Sequence, residues 1–282
     1  MRYVLVMHRK RVGVCREKHR ISQRSEALKE MIAEKPDYGN WVSVKLFVVP
    51  AVLSLLLGGA AFFLPPLGIV AGLFFLCFVY FAYARHAFSP NGRDIQSKIL
   101  SLALSHMPNW DGEGKVLDIG CGSGALAIQI AKRYPRVQVI GIDSWGAAWE
   151  SSQRLREENA RREGVAERVS FERADAASLP FDDEAFDLVT SNLVFHEVRR
   201  VRDKSQLIRE ALRMVEKGKG FVFQDLFLWR LVYGETDQLL EAIKGWGVEA
   251  VELVDTSGSA FIPKALKLPF MLGTVGILHG RK

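Results

Sequence analysis

The chain divides into two regions by its pattern of apolar and charged positions. Residues 46–84 contain no charged side chain, and 31 of these 39 positions are apolar. From residue 85 onward, short runs rich in Val, Ile and Phe alternate with amphipathic stretches that carry charges. The first pattern is typical of membrane-embedded helices, and the second of alternating strands and helices. We therefore predict a membrane segment joined to a soluble α/β domain.

The apolar run is interrupted at Pro65-Pro66, shortly after two glycines. One unbroken helix over the whole run would measure about 58 Å, about twice the thickness of the hydrocarbon core. Proline lacks an amide hydrogen and blocks the preceding turn, so two helices are expected, over residues 46–64 and 67–84. Each is just long enough to cross the bilayer, and the uncharged turn also suits a hairpin that only dips into it. A helical hairpin buried in a protein core is the alternative.

The second region predicts a parallel, doubly wound sheet whose ligand site lies at the carboxyl ends of the strands. The expected strands are residues 115–119, 137–142, 169–173, 186–191, 220–226, 248–254 and 273–279. The expected helices are residues 93–106, 125–133, 147–162, 204–215 and 237–244.

Positive charge is concentrated near the N-terminus. Residues 1–41 carry ten Lys or Arg and five Asp or Glu, whereas the net charge of the whole chain is +6. A nucleic-acid-binding domain would spread basic side chains over its folded part, so no nucleic-acid partner is expected. Basic side chains before an apolar run suit a cytoplasmic segment beside anionic lipids, and a solvated tail explains them equally well. The predicted organisation is a basic cytoplasmic segment (1–41), a membrane hairpin (42–86) and an α/β domain on the cytoplasmic side (87–282).

A glycine-rich loop follows the first predicted strand, in the sequence Asp118-Ile119-Gly120-Cys121-Gly122-Ser123-Gly124. Glycines between a strand and a helix allow a ligand to approach the backbone, which suits a dinucleotide or another nucleoside cofactor. Asp118 disfavours the dinucleotide, because a carboxylate would repel a pyrophosphate but can accept a hydrogen bond from an ammonium group. The three cysteines of the chain lie far apart and without a histidine cluster, so neither a metal site nor a disulfide is expected.

Two further acids follow the next two predicted strands. Asp143 lies about twenty residues beyond the glycines, where an acid can accept hydrogen bonds from both ribose hydroxyls. Asp175, after the third strand, can accept from an adenine amino group. NAD-dependent enzymes also have an acid that binds the ribose, so Asp143 alone does not distinguish the two cofactors. The combination of three acids at successive strand ends is what favours an adenosine cofactor with an ammonium group.

Residues from about 91 to 282 resemble the class I S-adenosylmethionine-dependent methyltransferases, in the branch that includes ubiquinone/menaquinone-biosynthesis and phospholipid N-methyltransferases. The resemblance rests on the glycine-rich loop, on Gly141-Ile142-Asp143, and on the stretch from Asp175-Ala176-Ala177 to Phe186-Asp187-Leu188-Val189. It implies a Rossmann-like sheet of seven strands in the order 3-2-1-4-5-7-6, with the last strand antiparallel, and S-adenosylmethionine as the cofactor.

The expected cofactor-binding residues belong to the glycine-rich loop and to the strand ends beside it. The glycine-rich loop would surround the methionine moiety, Asp143 would bind the ribose, and Asp175 with Ala176 would lie beside the adenine. The full set is Asp118, Gly120, Cys121, Gly122, Ser123, Gly124, Asp143, Ser144, Asp175, Ala176 and Asn192.

The catalytic candidates follow the fourth and fifth strands. A sulfonium methyl is already electrophilic, so positioning does most of the work, and a base is needed only for an acceptor that arrives protonated. His196 titrates near neutrality and can deprotonate such an acceptor, and Asp225 is the second candidate. The structural alternatives are a histidine held by a backbone carbonyl and a loop carboxylate in water.

Two segments on the site side are unusually apolar, residues 226–233 and 260–271. The second also carries Lys264 and Lys267, and this composition suits a surface that rests on lipid headgroups. A lid over the core is the alternative. Together with the hairpin, these segments favour the lipid bilayer as a partner and an apolar small molecule or lipid as the methyl acceptor, such as a quinone precursor or a lipid amine. Methylation of a soluble small molecule, with the hairpin only as an anchor, and a cofactor-binding protein without catalysis are the rival functions.

Overall fold

The structure is a computed structural model that describes residues 35–144 and 153–282. Most of the predicted basic segment, 1–41, lies outside the described residues, as does the start of the helix predicted at 147–162. Residues Tyr38–Lys282 form one compact unit.

The described residues contain seven strands that form one sheet. The strands are β1 Glu113–Ile119, β2 Arg136–Asp143, β3 Val169–Arg173, β4 Phe186–Asn192, β5 Val215–Asp225, β6 Ala250–Asp255 and β7 Gly276–Arg281. Their order is β3-β2-β1-β4-β5-β7-β6. Strand β7 runs antiparallel to β5 and β6, and the other neighbours are parallel. The expected order and the expected antiparallel last strand are both confirmed.

Helices cover both faces of this sheet. The helices of the described residues are α1 Lys45–Ala60, α2 Leu67–Phe88, α3 Ile95–Ser105, α4 Ala125–Arg133, α5 Gln153–Arg162, α6 Ser205–Arg213, α7 Arg230–Tyr233 and α8 Thr236–Lys244. Of these, α1 has no buried residue and does not cover the sheet. Successive side chains of a strand point to opposite faces. Val116 accordingly belongs to an apolar cluster with Leu126 of α4, whereas Leu117 belongs to another with Ile208 of α6. Because both faces are buried, the central strands are apolar almost throughout, which is why they were recognisable in the sequence.

The apolar N-terminal region differs from the prediction of two helices of spanning length. Helix α2, with 22 residues, is long and apolar enough to cross a membrane, and within the described residues it alone passes that test. Helix α1 has 16 residues, which span about 24 Å, and it ends at Ala60 instead of residue 64. Residues 61–66 form turns around Pro65-Pro66, so the break begins before the prolines and shortens the first helix.

The C-terminal end of α2 packs against loops at the carboxyl edge of the sheet. Ala84, Ala87 and Phe88 of α2 are buried in one cluster with Leu226, which follows β5. We call this set the α2-end cluster; its buried members are Val42, Ala84, Ala87, Phe88, Ile95, Ile99, Leu226, Ile262, Leu266, Leu272 and Val275. Within the segment 260–271, Ile262 and Leu266 are buried in this cluster, as the lid interpretation expected, while Leu268 and Phe270 are exposed.

Candidate functional site

The glycine-rich loop lies between β1 and α4 and is tied to β2. The amides of Gly120 and Cys121 donate to the carbonyl oxygen of Ile142, at 2.8 and 2.9 Å. Gly120 has a φ of +72°, and a Cβ there would lie 2.1 Å from Cγ2 of Val194. Gly122 has a φ of +53°, and no described atom lies within 4 Å of where its Cβ would be. The loop therefore presents bare backbone to open space at Gly122, which is the approach that a nucleoside cofactor needs.

Asp118 lies beneath this loop and is 1% exposed. Its Oδ1 accepts a hydrogen bond from the Thr190 hydroxyl at 3.1 Å. Its Oδ2 is buried and has no hydrogen-bond partner among the described residues. Burial raises the pKa of Asp118 to about 7, the charge of Asp143 adds to the rise, and the hydrogen bond from Thr190 opposes it. A buried carboxyl group with an unsatisfied oxygen fits the ammonium group of S-adenosylmethionine.

Asp143 ends β2 and turns back toward the glycine-rich loop. Its Oδ2 accepts a hydrogen bond from the amide of Gly122 at 2.9 Å and lies 3.6 Å from Nη2 of Arg156. Arg156 is fully buried, and its Nε donates to the carbonyl oxygen of Gly122. The acid expected to bind ribose is thus oriented by the loop and by a buried guanidinium group. The neighbouring Ser144 is exposed.

Asp175 lies just after β3, and both of its oxygens have partners. Oδ1 accepts from the amide of Ala177 at 2.9 Å, and Oδ2 lies 2.7 Å from Nη2 of Arg200. The Asp175 side chain is 42% exposed, and Ala176 beside it packs against the core. Arg200 therefore connects the segment after β4 to the acid that was expected to lie beside the adenine.

His196 and Asp225 form a hydrogen-bonded pair. Nδ1 of His196 lies 2.6 Å from Oδ1 of Asp225, and the amides of Phe195 and Leu226 donate to the same carboxylate at 2.8 and 2.6 Å. Asp225 is fully buried, and the His196 side chain is 20% exposed. Burial lowers the pKa of His196, but the charge and the hydrogen bond of Asp225 outweigh it, so the pKa lies above its usual value. Both structural alternatives are therefore wrong, because a carboxylate holds the histidine and that carboxylate is not in water.

Asn192 and Gln224 are neighbours at the ends of β4 and β5. They are paired in the register of the two parallel strands. Oδ1 of Asn192 and both polar side-chain atoms of Gln224 are buried without a hydrogen-bond partner among the described residues. The next residue, Leu193, has a φ of +57°, a left-handed conformation that costs an L-residue about 1–2 kcal/mol.

Four residues of this site were not singled out in the sequence: Thr190, Arg156, Arg200 and Gln224. A threonine or glutamine in an apolar strand carries no spacing signal, and the two arginines lie in charged stretches where most side chains are solvated. The described residues hold no group of three or more His, Cys, Asp or Glu side chains that could bind a metal ion.

The family described as "Methyltransferase domain" matches residues 111–255, just over half of the chain. Norajmaline N-methyltransferase of Rauvolfia serpentina is 36% identical over 130 residues, which cover 45% of this chain and 42% of that protein. The ubiquinone/menaquinone biosynthesis C-methyltransferase UbiE of Geobacter sulfurreducens is 33% identical over 110 residues, 39% of this chain and 40% of that protein. The chain thus spans about two fifths of the length of these curated relatives.

A solved structure has a similar fold. The crystal structure of geranyl diphosphate C-methyltransferase from Streptomyces coelicolor has a TM-score of 0.52 with this chain. The match covers 67% of this chain and 76% of the geranyl diphosphate C-methyltransferase. Its sequence identity is 15%, so this likeness concerns the fold. The strand order, the glycine-rich loop and the family match agree with the resemblance drawn from the motifs. The chain belongs to the methyltransferase-domain family, and its cofactor is S-adenosylmethionine.

Proposed function

We propose that this protein transfers a methyl group from S-adenosylmethionine to an apolar or membrane-associated acceptor, such as a quinone precursor or a lipid amine. The observation that carries the proposal is the α2-end cluster, in which a helix of membrane-spanning length packs with the loops at the carboxyl edge of the sheet. If α2 enters a bilayer, this edge and the methyl donor are held beside the membrane surface. The acceptor would then reach the site from the bilayer without crossing water.

The exposure of apolar side chains supports a membrane location. Only 11% of the most apolar window of α2 is buried, which disfavours a buried core helix. Ile69 and Leu76 of this helix are 74% and 63% exposed. Outside α1, α2 and the turn between them, the large apolar side chains that are exposed in the described residues are Leu231, Leu268 and Phe270. Leu231 belongs to the apolar segment 226–233, and Leu268 and Phe270 belong to 260–271, the segment that was expected to rest on lipid headgroups.

The proposed arrangement keeps the predicted organisation. The basic segment 1–41 and the α/β domain 87–282 would lie on the cytoplasmic side, and the hairpin 42–86 would enter the bilayer. Lys264 and Lys267 are exposed beside Leu268, where they can contact anionic headgroups.

The residues at the strand ends would bind the cofactor, which supplies an electrophilic methyl group on a positively charged sulfur. Asp118 would accept from its ammonium group, and residues 120–124 would contact the methionine moiety through backbone. Asp143 with Ser144 would bind the ribose, Asp175 with Ala176 would bind the adenine, and Asn192 would line the site. Arg156 would hold Asp143 in position, because it contacts both this acid and the glycine-rich loop.

His196 and Asp225 would act as a catalytic pair for an acceptor that arrives protonated. In its neutral form, His196 keeps the proton of Nδ1 in the hydrogen bond to Asp225, and Nε2 is the basic atom. Nε2 would take the proton of an acceptor hydroxyl or ammonium group while the methyl group is transferred. Asp225 would stabilise the imidazolium ion that results, and His196 would release the proton to water afterwards.

The test is label transfer into lipid by the full chain. The protein is incubated in phosphatidylcholine–phosphatidylglycerol vesicles that contain a total membrane lipid extract, with cofactor that carries a radiolabelled methyl group. We expect label in the organic phase. The double variant Leu73→Arg/Leu76→Arg, which puts charges on the exposed face of α2, should bind cofactor normally but lose at least tenfold in labelling.

The matched control is Gln138→Arg/Ser170→Arg, which adds the same charges at exposed positions of β2 and β3 and should label normally. Label confined to water-soluble acceptors would contradict the proposal. Equal wild-type rates on vesicles and on detergent-dispersed extract would contradict it as well.

A further inference from the structure

We propose that the side-chain amide of Gln224, beside the cofactor-lining Asn192, binds a neutral oxygen of the methyl acceptor, in a hydroxyl or a carbonyl group. This inference rests on the proposed function, and it names the part of the site that recognises the polar end of an otherwise apolar acceptor.

The two amides lie side by side on one face of the sheet. Asn192 and Gln224 are register partners on neighbouring parallel strands, so their side chains project to the same face from backbones about 4.8 Å apart. Thr190, two residues before Asn192, shares that face and is the register partner of Asp118. On its other side, Gln224 is paired with Ile277 of β7. Polar side chains therefore share this face from Asp118 on β1 to Gln224 on β5, and the apolar Ile277 of β7 lies next to Gln224.

Gln224 is buried without hydrogen-bond partners for its side chain in the described part of the chain. It is 1% exposed, and neither Nε2 nor Oε1 has a hydrogen-bond partner among the described residues. Burying an amide without a hydrogen bond is unfavourable, so such a side chain is normally paired with protein or replaced by an apolar one. Thr256 shows the usual arrangement, since it is buried and its hydroxyl donates to the carbonyl oxygen of Val275 at 3.2 Å. An amide without partners at the edge of a ligand site is explained if it forms its hydrogen bonds with the acceptor when the acceptor is bound.

The position in the sheet favours the acceptor over the cofactor. The acids expected to contact the cofactor follow β1, β2 and β3, whereas β5 lies beyond β4, about 10 Å from β1. Leu226, two residues after Gln224, belongs to the α2-end cluster. Gln224 thus lies on the side from which the acceptor is proposed to enter.

The chemistry of an amide limits what it can recognise. Gln224 offers a donor and an acceptor but no charge, so it suits a hydroxyl or carbonyl oxygen better than a carboxylate or an ammonium group in an apolar setting. A phenol, a hydroquinone or a quinone carries such an oxygen beside an apolar ring. A phosphate or a quaternary amine does not fit it.

The backbone between the two strands holds the pair together. Leu193 adopts its left-handed conformation directly after Asn192, and its amide donates to the carbonyl oxygen of Gln224 at 2.7 Å. Its side chain packs against the α2-end cluster. A strained residue that links the end of β4, the backbone of Gln224 and the end of α2 is typical of a constrained ligand site.

The variant Gln224→Leu tests the inference, with Thr256→Val as the control. Each variant replaces a buried polar side chain by an apolar one of similar size. Only Thr256→Val removes a hydrogen bond that the structure shows. Three quantities are measured on the full chain in vesicles: the melting temperature, the dissociation constant of S-adenosylmethionine, and the apparent KM and kcat for labelling a total membrane lipid extract. For Gln224→Leu we expect an equal or higher melting temperature, a cofactor dissociation constant within twofold, and a KM at least tenfold higher with kcat within threefold. Thr256→Val should melt lower and keep its KM.

A lower melting temperature of Gln224→Leu would show a structural role and overturn the inference. An unchanged KM would overturn it too, and weaker cofactor binding would assign the amide to the cofactor instead. A wild-type protein that binds cofactor but labels no lipid contradicts the proposed function, and the melting temperature then still decides whether Gln224 is structural.

Discussion

Nδ1 of His196 lies 2.6 Å from Oδ1 of Asp225, and this carboxylate is fully buried. The amides of Phe195 and Leu226 donate to the same carboxylate, so its orientation is set by the backbone on both sides of the site. The short turn Phe195–Glu197 after β4 presents the histidine to the end of β5. The ring is therefore held through Nδ1. Nε2 lies 3.8 Å from Oε1 of Glu197, too far for a hydrogen bond, so it is left for proton transfer.

Substitution His196→Gln tests whether this pair takes a proton from the acceptor. We expect kcat for labelling the lipid extract to fall by about 10²–10⁴, the usual contribution of a general base, with cofactor affinity unchanged. The control is His279→Gln, because His279 also has a carboxylate neighbour, Glu252 at 3.8 Å, but lies outside the proposed site. A His196→Gln variant with wild-type kcat would show that the acceptor needs no base.

The pH at which the rate rises on the acid side of the pH–rate profile (the acid limb) should depend on the charge of Asp225. Because Asp225 raises the pKa of His196, the neutral base forms only above the usual histidine pKa, and kcat/KM should rise with pH through that raised value. In Asp225→Asn the limb should move to lower pH, because the charge that stabilised the imidazolium is gone. On folding, the raised pKa adds stability below about pH 6.5, and this stability is lost as the pH rises through the folded pKa. A limb that stays in place in Asp225→Asn would contradict the pairing.

Substitution Gly122→Ala separates cofactor binding from folding. The new Cβ would occupy open space, so the cost to folding is the left-handed backbone, about 1–2 kcal/mol. The same methyl group would block the approach of the cofactor to the loop, and calorimetry should show at least a tenfold weaker affinity. Gly164→Ala is the control, since Gly164 has a φ of +70° and likewise no described atom within 4 Å of its Cβ position. Equal cofactor affinity in the two variants would place the cofactor elsewhere.

Asp118 makes the protein less stable as the pH rises toward neutrality. Its folded pKa of about 7 lies above the unfolded value near 3.8, so the folded state binds the extra proton between these values. Unfolding by urea should therefore show Asp118→Asn close to wild type near pH 4 and more stable at pH 8, by up to about 4 kcal/mol. The exposed Asp111→Asn is the control and should show no such trend. A stability difference that does not change with pH would mean that Asp118 is not buried as a neutral group.

The elements that depend on local pattern were predictable. Strand β3 occupies the residues expected for it, and α4 does too, because apolar positions and the glycine before α4 define their ends. The strand order came from the resemblance carried by the glycine-rich loop and the acids after it. Helix α1 was predicted too long, because the turn begins at residue 61, ahead of the two prolines.

The contacts within the site were beyond prediction from spacing. Asp225 and His196 were separate candidates, since the hydrogen bond between them joins residues 29 positions apart, one at the end of β5 and one in the turn after β4. Arg156 lies in a helix that is charged on most sides, where burial of one guanidinium group depends on the backbone of the glycine-rich loop. Gln224 became notable only when its burial and its missing partners were known.

Cofactor binding is the claim on which the other roles depend. Isothermal titration calorimetry of the full chain in vesicles should show S-adenosylmethionine binding at one site per chain, weaker in Gly122→Ala and unaffected in Gly164→Ala. A nicotinamide dinucleotide should produce no binding heat. No heat from S-adenosylmethionine, together with tight binding of the dinucleotide, would contradict the account.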